Sequence, residues 1–144
     1  MGDRDKPIPV LDVDITTPID TKKAIEGLGG SARMYYGMLE KFEDMSLIQC
    51  MTQVKNAVET KNYKAMKEGA HSLKGSSGYI GASHLHYACY FIQEHFMFER
   101  PALMMEYYPT LIEAAIEFRV FSRKIIAEYK GIKFENNYHN RASI

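Results

Sequence analysis

His71 stands in the stretch Ala70-His71-Ser72-Leu73-Lys74-Gly75-Ser76-Ser77-Gly78-Tyr79-Ile80-Gly81-Ala82. On a helix, His71, Lys74, Gly75 and Gly78 fall at i, i+3, i+4 and i+7 and share one face, and Lys67 and Lys64 extend that stripe backwards. An imidazole with an ordinary pKa near ~6.5 is mostly neutral at neutral pH, so one ring nitrogen offers a lone pair without an activating base. A lysine one turn further on can offset the charge of an anion held there. Gly69, Gly75 and Gly78 each cost a helix interior about 0.5–1 kcal/mol relative to Ala, and together ~2–3 kcal/mol. The simplest compensation is the close approach of a partner's backbone to His71.

Several elements must hold that stripe. The other side of the same helix carries Tyr63, Met66, Ala70, Leu73, Ser77 and Ile80, an apolar seam that turns His71 away from the core. Asn62 caps this helix, which is expected over 63–79 with its end near Gly81. Ser83 opens the next helix, with Leu85, Ala88, Cys89, Ile92 and Phe96 inward. Tyr87, Tyr90, Phe91, Met97 and Phe98 lie off its seam, as expected of a central helix that also offers a docking surface. This helix runs back antiparallel, so Gln93 comes level with His71.

Arg100-Pro101 ends that helix, and Pro109 is expected to forbid one continuous helix through 102–130. A final helix then carries Leu111, Ala114, Ala115, Phe118, Phe121 and Ile125, and stops at Gly131. Upstream, Thr17 is read as an N-cap with Pro18 at the first helical position, and Gly27-Leu28-Gly29-Gly30 as the stop. Ser31 caps a helix with Tyr35, Met38, Leu39 and Phe42 inward. Ser46 with Gln49 reads as a capping box that starts a separate helix through Leu47, Met51, Val54 and Val58, ending at Thr60-Lys61-Asn62. The sum is an all-α protein, an antiparallel four-helix bundle with one or two accessory N-terminal helices. Residues 1–17 read as an extended arm, 18–131 as the bundle domain, and 132–144 as a polar tail.

The run His71, Lys74, Gly75, Ser76, Ser77, Gly78, followed by Gly81-Ala82, resembles the signature of histidine-containing phosphotransfer (HPt) domains. Tyr35-Tyr36-Gly37-Met38-Leu39-Glu40-Lys41-Phe42 is similar to a segment of the same family, and the helical pattern extends the likeness over 28–130. The resemblance implies a carrier in a multistep phosphorelay. His71 would accept a phosphoryl group from the aspartate of a hybrid histidine kinase's receiver domain and pass it to that of a response regulator. Lys74 would neutralise phosphoryl charge, and Gln93, which follows Ile92 as the family's Gln or Glu follows a leucine, would orient the ring. Lys64, Lys67, Gly75 and Gly78 would form the docking face. No cofactor is expected on the chain itself, because the partner receiver supplies Mg2+ and the acids that bind it. The alternative reading is a helical-bundle adaptor that binds receivers without carrying phosphate.

Other chemistries have little support. The formal net charge is zero across 144 residues, so nucleic-acid binding has no electrostatic basis. The basic residues gather locally, in Lys64, Lys67 and Lys74 and again in Arg119, Arg123 and Lys124. Hydrophobic residues make up 46% and charged ones 25%, which suits a globular domain. Cys50 and Cys89 lack metal-ligand spacing and read as free buried thiols of a reducing compartment. His84 and His86 diverge on a helix, and His95 and His139 have no partner at ligand spacing, so no metal site is expected. No glycine-rich nucleotide loop follows a strand, which leaves an autonomous kinase without a site. No stretch approaches the ~20 apolar residues of a membrane span. The expectation is a cytoplasmic monomer, with a nuclear location left open.

Overall fold

The computed structural model describes residues 17–133, so the proposed arm, Thr17 excepted, and most of the polar tail lie outside the described residues. Among the described residues every regular element is helical. A short helix α1 (Thr21–Gly27) precedes α2 (Ala32–Lys41), a π-helical turn (Phe42–Ser46) and α3 (Leu47–Glu59). Then follow α4 (Tyr63–Tyr79), α5 (Ser83–Met97) and α6 (Pro101–Lys130). The α2–α3 rod and the three later helices make the four-helix bundle, and α1 is the one accessory helix described.

Three local expectations give way to the structure. Asp20, not Thr17, caps α1, accepting from the Lys23 backbone N–H at 3.2 Å, while the Thr17 hydroxyl donates to the Ile19 carbonyl. Ser46 caps nothing: its backbone is helical, and the chain runs from α2 into α3 without a break. The buried positions explain this. Tyr35, Leu39, Phe42, Leu47, Met51, Val54 and Ala57 all face the core, and the step of five between Phe42 and Leu47 is too long for an α-turn. The π-turn, in which the Leu47 N–H reaches the Phe42 carbonyl, absorbs the extra residue and keeps one seam inward.

Pro109 does not divide α6, which runs for 30 residues with that proline inside it. An internal proline costs a helix about 3 kcal/mol. Pro109 lies on the exposed side, where water can satisfy the carbonyl left without a donor, while Met104 and Leu111 on either side of it are fully buried. Packing of the flanking turns outweighs the local defect.

The end of α4 is tied down from three directions. Tyr35 donates its hydroxyl to the Ile80 carbonyl at 2.8 Å, and Asp20 donates its backbone N–H to the Gly81 carbonyl at 2.7 Å. Ser83 donates its hydroxyl to the Thr17 carbonyl at 2.8 Å. Gly81 is required twice over, since its φ is +77° and a Cβ there would stand 2.6 Å from the Asp20 carbonyl oxygen. The N-terminal segment is thus built onto the turn between α4 and α5.

Candidate functional site

Helix α4 begins and ends where its sequence directs. The Asn62 side chain accepts from the Ala65 N–H at 3.1 Å, and Gly81 turns the chain so that the Ala82 N–H reaches the Ser77 carbonyl at 2.9 Å. Met66, Ala70, Leu73 and Ser77 are fully buried, which leaves His71 exposed on the opposite face beside Lys74 and Gly75. A Cβ at Gly75 would meet nothing within 4 Å. That position is open to an approaching molecule.

Gly69 has a different reason to be glycine. A Cβ there would stand 2.8 Å from Val54 Cγ2, so this residue lets α3 and α4 pack closely. The expectation that all three glycines serve a partner is therefore corrected: Gly69 serves the core.

Gln93 reaches across from α5, and its side-chain Nε2 lies 2.9 Å from Nδ1 of His71. An amide's oxygen and nitrogen are close in shape, so this contact has two forms. With the NH2 toward the ring, Nδ1 accepts, the ring proton sits on Nε2, and Gln93 Oε1 is buried without a hydrogen-bond partner. With the amide turned over, Oε1 accepts from Nδ1–H and the lone pair sits on Nε2. Either way Nδ1 is engaged, and Nε2 is the nitrogen left to an outside reagent.

A cleft of about 500 Å³ opens beside the ring, between α1 and α4. His71, Lys74, Gly75 and Gly78 line one wall, Lys23 and Leu28 belong to the other, and His86 comes in from α5. His86 is buried, with its Nδ1 2.9 Å from the Lys74 carbonyl. A carbonyl only accepts, so Nδ1 carries the proton. Burial pushes the His86 pKa down, the bond to the Lys74 carbonyl opposes that shift, and the Lys74 charge adds to it. Two side chains of α5, Gln93 and His86, therefore clasp the turn of α4 that carries His71 and Lys74.

The remaining basic residues divide. Lys64 is exposed on the stripe, and Lys67 is half-buried with Nζ 5.3 Å from the centre of the Phe96 ring. Arg119 and Arg123 are not a surface cluster. Arg123 Nε lies 2.9 Å from the fully buried Glu43 carboxylate, its Nη2 3.0 Å from Asp44, and Arg119 Nε lies 3.6 Å from Glu43. This pairing holds α6 to the π-turn, and its sequence signal is a carboxylate, Glu43, in an otherwise apolar seam. Burial raises the Glu43 pKa against the opposing pull of Arg123 and Arg119.

Among the described residues no group of three or more His, Cys, Asp or Glu side chains is placed to hold a metal, and no helix is long and apolar enough to cross a membrane. His84 lies 2.7 Å from Glu117 on α6 and diverges from His86. Cys50 and Cys89 are free thiols, and burial raises the pKa of both. The sequence did not single out Lys23, because nothing in it shows that α1 folds back beside His71.

The chain is thus an all-α bundle that exposes His71 on α4, with Gln93 of α5 against the ring. The Hpt domain family matches residues 37–116, more than half of the chain, and the protein belongs to that family. Hpt domains are phosphoryl carriers of phosphorelays and interact with receiver domains of histidine kinases and response regulators. No curated protein and no solved structure matches the chain.

Proposed function

We propose that this protein relays a phosphoryl group between the aspartates of two receiver domains through a phosphohistidine at His71. The observation that carries the reading is the exposed His71 ring with its Nδ1 held by Gln93, so that Nε2 is presented outward. In the forward step the Nε2 lone pair attacks the phosphorus of a phosphoaspartate. An N–P bond forms, the P–O bond to the aspartyl oxygen breaks, and the carboxylate leaves with the electron pair. The Nδ1 proton stays on the ring, held by Gln93 Oε1. The reverse step returns the group to a second aspartate.

Lys74, one turn from His71, supplies positive charge beside the phosphoryl oxygens. The open side of Gly75, with Gly78 on the same stripe, admits the receiver's loops, while Lys64 and Lys67 meet acidic groups at the receiver's edge. Mg2+ and the carboxylates that bind it belong to the receiver. The carrier needs only a nucleophile, a nearby cation and a fit.

The test is transfer from a purified, phosphorylated receiver. Acid-labile, alkali-stable phosphate should appear on this chain, and Lys74→Ala should slow its appearance while the bundle stays folded. A receiver that binds but transfers nothing would replace this reading with that of an adaptor.

A further inference from the structure

The turn of α4 that carries Lys74 is not held by its own helix alone. Gly75 and Gly78 fall within it, and glycine keeps more backbone freedom than any other residue. The Ser76 hydroxyl donates back to the Ser72 carbonyl at 3.0 Å and the Ser77 hydroxyl to the Lys74 carbonyl at 3.1 Å, a pattern that tends to bend helices. A further tie comes from outside the helix: His86 of α5 donates its Nδ1–H to that same Lys74 carbonyl at 2.9 Å. His86 is buried beside Leu85, Ala88, Cys89 and Ile92 of α5, in a stretch where an apolar side chain is the default. An imidazole there carries a desolvation cost that its hydrogen bonding must offset. It lies one heptad before Gln93, so the two share a stripe of α5 and reach two points of one α4 turn, the Lys74 carbonyl and the His71 ring. His86 also lines the cleft beside His71.

We propose that His86 is a positioning residue for phosphoryl transfer at His71, acting through the Lys74 carbonyl. The proposal rests on the reading of His71 as the phosphorylated residue. The bond fixes how the glycine-loosened turn sits against α5, and with it the direction in which the Lys74 side chain leaves the helix relative to the ring. Gln93 holds the ring, and His86 holds the backbone that carries the cation beside it. In-line transfer is sensitive to that geometry, since a misplacement of ~1 Å can cost ~10²-fold in rate.

The experiment follows single-turnover transfer from a phosphorylated receiver over a range of receiver concentrations. His86→Leu and His86→Met each remove the donor and keep an apolar side chain in an apolar site. Each should lower the saturating rate by about 3–10-fold, the scale of one hydrogen bond, at an unchanged half-saturating receiver concentration. His86→Asn, whose amide N–H stands in for Nδ1–H, should restore most of the rate. In the isolated chain, amide exchange should quicken in the two apolar variants at Gly75–Gly78 and not in the earlier turns of α4. A wild-type rate in either apolar variant, a change in half-saturation alone, a loss that His86→Asn does not restore, unchanged exchange at those amides, or unfolding of both apolar variants would make His86 a packing residue and overturn the proposal. If wild type takes up no phosphate, or His71→Gln takes it up equally, the assignment of His71 has failed instead.

Discussion

Gln93 and His71 meet at 2.9 Å across the α4–α5 interface, one from each helix, and the contact engages Nδ1 of the ring. In the proposed relay that contact would leave Nε2 as the nitrogen that meets the phosphoryl group. A ring held through Nδ1–H keeps its lone pair on Nε2, whereas an unheld ring divides its population between two tautomers and several rotamers.

Removing that hold should cost rate and leave the fold intact. Gln93→Ala is expected to slow phosphoryl acceptance by about 10-fold, the scale of one charge-orienting hydrogen bond. Gln93→Glu, which still accepts from Nδ1–H, should retain more of the rate. Single-turnover transfer kinetics would measure both, and equal rates for wild type and Gln93→Ala would assign the amide to packing.

Gly69 and Gly75 make opposite predictions for the same substitution. Gly75→Ala adds a methyl group to open space, so the isolated protein should gain about 0.5–1 kcal/mol of stability while transfer from a receiver slows. Gly69→Ala drives a Cβ into Val54 and should destabilise by about 1–3 kcal/mol. Urea unfolding of the two variants checks the signs. Stabilisation at Gly69 would contradict the packing account.

Much of this was legible in the sequence, and the reasons for the rest are physical. Helix α4 was readable to its ends because cap, seam and stop all agree: Asn62, then Met66, Ala70, Leu73 and Ser77, then Gly81. The α2–α3 rod reads as two helices in the sequence because Ser46 and Gln49 match a cap by type, while the five-residue step from Phe42 to Leu47 makes sense only with a π-turn. The local rule ends a helix before Pro109, but burial of Met104 and Leu111 overrides it. Arg119 and Arg123 looked like surface charge because their partner, Glu43, is about 80 residues away in sequence. Pairings across such distances leave no local spacing to read.

That buried pairing gives the next expectation. Glu43→Ala removes the buried carboxylate that faces Arg119 and Arg123, while Asp44 still pairs with Arg123, at a cost of about 1–3 kcal/mol. Because Glu43 is not among the residues that line the cleft beside His71, the folded variant should still accept phosphate at the wild-type rate. Chemical denaturation and transfer assays on one preparation separate the two effects. A change below about 1 kcal/mol would mean the arginines find other partners.

His86 should give stability a pH dependence. Its pKa in the folded protein lies below the ordinary value, so the unfolded chain binds the proton more readily. The stability carried by neutral His86 is present above the ordinary histidine pKa and declines as pH falls through it toward the folded value. His86→Gln keeps an N–H donor for the Lys74 carbonyl and does not titrate. Between about pH 7 and pH 5 its unfolding free energy should therefore fall less steeply than that of wild type. Parallel slopes for the two proteins would show that His86 protonates as readily folded as unfolded.

The most direct measurement places the phosphate itself. Wild type and His71→Gln are each mixed with a receiver carrying labelled phosphoaspartate, and the label on the smaller chain is counted and mapped. The expected result is about one acid-labile phosphoryl group per wild-type chain, bonded to Nε2 of His71, and none on a folded His71→Gln that still binds the receiver. Label on the variant, or on any other residue of wild type, would contradict the account.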